Sequence, residues 1–207
     1  MKRIIFDFDG TLLDSSRRHV AVLQECLDAH HIRYDSLDDY LAFKADGKPT
    51  LQYLTERFGM ENAAAKDIAS AWVGRIEERA VLVTDKLYDD ALPALNACKN
   101  AGHTLYLLSA RKSEANLRDQ VTALGISSYF QEVFCVSPKD AADHKTAIAK
   151  KIQAEVIVGD TEVDWSAAEQ LGIAYSILNR GFRSKYYWDK RGVTSFDDLL
   201  TAIEIII

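Results

Sequence analysis

Three times in this chain a helical pattern runs into a glycine and then into a short apolar run. Asp90–Ala101 precedes Gly102 and Thr104–Leu108, Glu114–Leu124 precedes Gly125 and Glu132–Val136, and Trp165–Leu171 precedes Gly172 and Ala174–Leu178. Glycine ends a helix readily because it takes the left-handed conformation without a Cβ penalty. Two further runs, Arg3–Phe8 and Ala154–Val158, have the same apolar character, and a helical pattern over Lys145–Ile152 precedes the second. Their apolar residues do not alternate with polar ones, so both faces are buried, as in a parallel sheet covered by helices. The expected fold class is α/β, a doubly wound parallel sheet of the Rossmann-like type. In such a sheet the reactive groups belong at the carboxyl ends of the strands.

The first two strand candidates are separated by about ninety residues, too many for one crossover. Arg17–His30, Leu37–Phe43, Thr50–Phe58 and Glu61–Arg79 within that interval carry helical patterns, punctuated by Gly47-Lys48-Pro49 and Gly59. The expected organisation is a main domain of residues 1–15 and 87–207, with a small all-helical domain of residues 16–86 inserted into it. With 48% apolar residues the chain can bury a real core.

The net charge of -6 disfavours nucleic acid or an anionic membrane as the main partner, but not a small anionic ligand. Cys26, Cys98 and Cys135 are odd in number and widely spaced, which fits reduced thiols in a cytoplasmic protein. Met1-Lys2-Arg3 imitates the start of a signal peptide, but Asp7 and Asp9 interrupt the apolar run behind it. No stretch reaches the length of a membrane span. A monomer or homodimer is expected. His19, His30, His31, His103 and His144 lack metal-ligand spacing and read as structural or exposed.

The strand ends carry the chemistry. The first run delivers Asp7-Phe8-Asp9-Gly10-Thr11-Leu12, with Asp7 and Asp9 starting on the same side of a strand. Their repulsion requires a cation or a shared proton. The second run closes as Leu108-Ser109-Ala110-Arg111, a hydroxyl at a strand end that suits an anion. Lys145 begins a helix, and Gly159-Asp160-Thr161-Glu162-Val163-Asp164 adds two more carboxylates to the same edge. Clustered oxygen ligands call for Mg²⁺, which keeps waters that a phosphate can displace. Positioning and charge neutralisation are what phosphoryl transfer needs.

These four signals, in this order and spacing, resemble the four motifs of the haloacid dehalogenase superfamily. The resemblance spans the whole chain. The insertion after the first motif and the tail from Gly181-Phe182-Arg183-Ser184 through Val193–Leu200 are similar to its phosphoglycolate-phosphatase-like branch. The second motif departs from many relatives, with Ser109-Ala110-Arg111 where they carry Asn and Lys.

The resemblance implies a Mg²⁺-dependent phosphomonoesterase acting on a small phosphorylated metabolite through an aspartyl-phosphate. Asp7 is then the nucleophile, and Asp9 the acid and base, a task that calls for a raised pKa. Ser109, Ala110, Arg111, Gly10, Thr11 and Lys145 bind the phosphoryl group. Asp7, Asp160, Asp164 and the main-chain carbonyl of Asp9 bind the metal. Lys145 rather than Lys139 takes the lysine role. Lys44, Lys48, Trp72, Arg75 and Arg79 are candidate contacts for the leaving group, each also explicable as an ordinary surface or core residue. The rival readings are a phosphotransferase or phosphomutase on the same site and a catalytically silent binding protein.

Overall fold

A computed structural model describes residues 1–206. The chain opens with β1 (Arg3–Phe6) and a short β2 (Leu13–Asp14). The helices α1 (Ser16–Ala29), α2 (Tyr40–Ala45), α3 (Thr50–Phe58), α4 (Asn62–Arg75) and α5 (Arg79–Leu82) follow. Then come β3 (Lys86–Leu87), α6 (Ala91–Asn100), β4 (Thr104–Ala110), α7 (Glu114–Ala123) and β5 (Phe130–Val136). The remainder is α8 (Ala141–Lys151), β6 (Val156–Gly159), α9 (Glu162–Leu171), β7 (Ala174–Leu178), α10 (Lys185–Asp189), β8 (Ser195–Phe196) and α11 (Leu199–Glu204).

Six strands form one parallel sheet in the order β5-β4-β1-β6-β7-β8. The α/β class read from the sequence is therefore correct. Residues of β1 alternate between two apolar layers, as strand geometry dictates. Ile4 and Phe6 pack with Leu95, Leu117 and Ile203, whereas Ile5 packs with Ala149 and Ala167 on the other face. Phe6 lies beside Leu107 on one side and Val158 on the other, so the chain leaves β4, β1 and β6 at one level of the sheet. The amide of Asp7 still reaches the Val158 carbonyl at 2.8 Å, one step beyond the strand.

The helices α1–α5 enclose their own apolar cluster, with Leu23, Leu27, Tyr40, Tyr53, Ile68 and Trp72 at its centre. β2 and β3 pair antiparallel, Leu13 with Leu87 and Asp14 with Lys86, so the chain leaves and re-enters the sheet side by side. That two-stranded ribbon had no sequence signal, because two residues per strand are too few for a period. β8 was similarly hidden within the tail segment. The pattern over Glu61–Arg79 contains one helix, α4, which ends at Arg75, and α5 begins only at Arg79. At the C-terminus Ile206 is buried and Ile205 exposed, while Ile207 lies outside the described residues. Cys26, Cys98 and Cys135 are free, and no described helix is long and apolar enough to cross a membrane.

Candidate active site

The turn after β1 folds on itself. The Phe8 carbonyl accepts from the amides of Thr11, Leu12 and Leu13, and the Gly10 amide donates to the Leu13 carbonyl at 2.8 Å. Gly10 has φ +80° and sits against Asp160, where a Cβ would collide with the carboxylate. The amides of Gly10 and Thr11 are thus used inside the turn and do not present themselves to a phosphoryl group, contrary to the expectation above. What Thr11 does contribute is its hydroxyl, which donates to Asp160 Oδ1 at 3.2 Å.

Asp7, Asp160 and Asp164 come together from β1 and from the β6–α9 junction. One oxygen of each lies within 4.8 Å of the others, and all three side chains are buried. Asp164 serves twice. Its Oδ2 accepts from the Thr161 amide at 3.3 Å, completing a capping box at the start of α9, and from the Thr161 hydroxyl at 2.9 Å, while its Oδ1 accepts from Lys145. Lys145 projects from α8, not from its first residue as expected but from its second turn, and is almost fully buried. Its Nζ donates to Asp7 Oδ1 and to Asp164 Oδ1, both at 2.6 Å. Lys139 is exposed.

Three buried carboxylates against one ammonium leave an excess of negative charge. Burial, opposed by Lys145, pushes the Asp7 carboxyl up to about 7. Asp160 is raised well above the carboxylate range by burial and by its two acidic neighbours. Burial alone would lower the Lys145 ammonium, but Asp164 and Asp7 hold it above the usual lysine range. A hard divalent cation fits this donor set, since it would offset the surplus charge that burial otherwise penalises. The cradle is tight. A Cβ on Gly181 would meet Asp160 and come within 2.7 Å of Gly10 Cα, while the neighbouring Phe182 amide donates to Asp160 Oδ2 at 2.7 Å. Gly181→Ala is expected to cost about 1–3 kcal/mol, read as a lower Tm, because backbone rather than a flexible side chain must yield.

Asp9 differs from expectation. Its Oδ1 and Oδ2 accept from Arg111 Nη2 and Nε at 2.9 and 2.7 Å, and Arg18 of α1 adds a further contact to Oδ1. Burial favours the neutral acid, but Arg111 and Arg18 outweigh it and hold the carboxyl far below the usual range. The raised pKa expected of Asp9 is therefore reversed, because two guanidinium groups, not a second carboxylate, dominate its surroundings. The cluster closes on itself. Arg18 Nε lies 3.1 Å from Asp85, Asp85 accepts from Gln120 at 2.8 Å, and Gln120 accepts from Arg111 at 2.7 Å. Sequence reading missed Arg18, Asp85 and Gln120. Arg18 alone had a signal, a charge on the apolar stripe of α1.

Asp7, Asp9, Ser109, Ala110, Arg111 and Lys145 line one cavity of about 300 Å³. Its opposite wall comes from the helical unit and from the 181–184 segment, through His19, Trp72, Ile76 and Phe182. His19 was read as structural or exposed. It is half-buried on this wall, edge-to-face with Trp72 and tilted against Phe182, with ring centroids 5.2 and 4.5 Å apart. Burial, then Lys44 and Arg18, hold its imidazole well below the usual histidine range. Of the other candidates only Trp72 reaches the cavity. Lys44 lies over the Trp72 ring at 4.8 Å, Lys48 faces Glu56, Arg75 pairs with Glu25 and Arg79 with Asp119. The wall is fastened to the sheet unit by Glu77, whose carboxylate accepts from the amides of Lys112 and Ser113 at 2.9–3.1 Å.

Comparison with known proteins settles the family. The family described as "Hydrolase: haloacid dehalogenase-like hydrolase" matches residues 1–172. The chain belongs to the haloacid dehalogenase-like hydrolases. Among the relatives of this hydrolase is a phosphoglycolate phosphatase of Rhodobacter capsulatus, 23% identical over 193 residues, covering 87% of this chain and 85% of that protein. A second is tyrosine-protein kinase PtkA of Mycobacterium tuberculosis, 26% identical over 210 residues, covering 98% of this chain and 70% of that protein. The haloacid dehalogenase-like family hydrolase of Streptococcus pneumoniae has the same fold, with a TM-score of 0.79 at 18% identity and coverage of 100% and 99%.

Proposed function

We propose that this hydrolase is a Mg²⁺-dependent phosphomonoesterase that cleaves a small phosphorylated metabolite through an aspartyl-phosphate on Asp7. The observation that carries this reading is the buried triad of Asp7, Asp160 and Asp164, with a single ammonium bridging Asp7 and Asp164 where Asp7 and Lys145 meet the cavity. Asp7, Asp160, Asp164 and the main-chain carbonyl of Asp9 would hold Mg²⁺, which supplies charge neutralisation for an incoming phosphate dianion.

The protein's own groups do the rest. Lys145 orients the Asp7 carboxylate and screens it from the phosphoryl oxygens, so attack need not overcome bare anion repulsion. Ser109, buried at the end of β4, donates its hydroxyl to the transferring group. Asp9, held as a carboxylate, acts as the base that takes a proton from the water attacking the aspartyl-phosphate. To protonate a leaving alkoxide it must first take up a proton from solvent, which requires it to give up part of its contact with Arg18 or Arg111. Residues 16–86 act as a cap on the main domain of residues 1–15 and 87–207, and closure excludes bulk water while the aspartyl-phosphate forms. The setting is the cytoplasm.

The similarity to a tyrosine-protein kinase supports a second reading, in which the phosphoryl group passes from Asp7 to another hydroxyl instead of water. Phosphate release from a panel of phosphomonoesters, with Mg²⁺ and with a chelator, tests the first. Release only with the metal is expected. A protein that binds Mg²⁺ yet frees no phosphate from any ester would replace that reading with the transferase or a silent binding protein.

A further inference from the structure

The cavity has a charged floor and a different ceiling. Every charged side chain around its rim already has a partner within the protein. Arg18 and Arg111 are both spent on Asp9. Lys112 Nζ donates to the Val73 carbonyl at 2.9 Å, and Glu77 is taken up by backbone amides. Lys145 belongs to the acidic floor. Facing the floor are His19, Trp72, Phe182 and Ile76, flat or apolar surfaces apart from the imidazole.

We infer that the leaving group of the substrate is an uncharged aromatic ring, packed against the surface formed by Trp72, His19 and Phe182. This rests on the phosphomonoesterase reading and narrows it. A leaving group bearing a second anion would have to prise a guanidinium from a buried, bidentate carboxylate, and would then lie beside that carboxylate. An aromatic ring requires no such exchange. It buries its area against existing rings. A cavity of about 300 Å³ has room for a phosphoryl group and one ring.

The test uses phosphonates that cannot be hydrolysed, titrated calorimetrically into the Mg²⁺-loaded protein. Benzylphosphonate is expected to bind about tenfold or more tighter than methylphosphonate, and phosphonoacetate no tighter than methylphosphonate. Phe182→Leu and Trp72→Leu are each expected to shrink the benzyl-to-methyl ratio severalfold. Phe182→Leu is informative even if Trp72, which anchors the helical cluster, proves necessary for folding. A phosphonoacetate preference, equal binding of the three, or a ratio untouched by Phe182→Leu overturns the inference. Turnover of benzyl phosphate against 2-phosphoglycolate separates the two levels. A benzyl preference in binding with no ester hydrolysed keeps the aromatic site and removes the hydrolase. Hydrolysis without that preference does the reverse.

Discussion

Asp7→Asn is expected to lower Mg²⁺-dependent phosphate release by about 10³-fold or more, while making the metal-free protein more stable at neutral pH. Asparagine keeps the size and the hydrogen-bonding shape but cannot form the acyl phosphate. The gain in stability follows from the charge balance of the triad. Burial pushes Asp7 up from 3.8 to about 7 in spite of Lys145. An acid raised in the folded state binds its proton there more readily than in the unfolded chain. Metal-free wild-type protein should therefore lose stability as pH climbs from 3.8 toward about 7 and level off beyond it. The variant should lack this contribution to the slope. Adding Mg²⁺ should reverse the ranking, since saturation at 100 times Kd stabilises the binding-competent wild type by about 2.7 kcal/mol. Thermal melts of both proteins from pH 4 to pH 8, with and without metal, measure all of this (about 4 and about 8 bracket the titration). Unchanged phosphate release in the variant would end Asp7's candidacy as nucleophile.

Lys145→Met should be damaging in both respects. The ammonium is the sole cation within hydrogen-bond reach of Asp7 and Asp164 among the described residues, at 2.6 Å from each. Removing one partner of a buried ion cluster typically costs about 3–5 kcal/mol, because the remaining charges stay buried and unpaired. For a chain of this size that is a fall in Tm of about 10 °C. Methionine preserves the length and apolar stem, so a cavity is not the cause. Activity should fall by about 10²–10⁴-fold, as expected for a group that neutralises developing charge in a water-poor site. Excess Mg²⁺ should restore part of the Tm but not the rate. A Tm within about 2 °C of wild type would show that the triad does not depend on this lysine.

Much of the site was legible from local signals. Asp7, Ser109 and Asp160 each sit at the end of an apolar run, and a parallel sheet brings the ends of neighbouring strands to one edge whatever the loops do. Lys145 and Asp164 were legible through spacing within α8 and α9, although α8 begins four residues earlier than its pattern indicated. The fold class followed from the repetition of helix, glycine and strand. By contrast, the charge state of Asp9 was read with the wrong sign. Its neighbours in sequence are Asp7 and a turn, whereas its neighbours in space are Arg18 and Arg111, one from the inserted helices and one from beyond β4.

The sequence by itself determined five strands of the sheet, the chemistry carried at their ends and the acidic character of the edge, because periodicity and turn residues act over a few positions. Only the tertiary structure decided which cations meet which carboxylates, that the Gly10 and Thr11 amides are spent within their turn, and that His19 and Trp72 face the cavity. Those outcomes depend on how the helical unit seats against the sheet. Contacts such as Glu77 on the Lys112 and Ser113 amides join residues dozens of positions apart, and no local pattern encodes them.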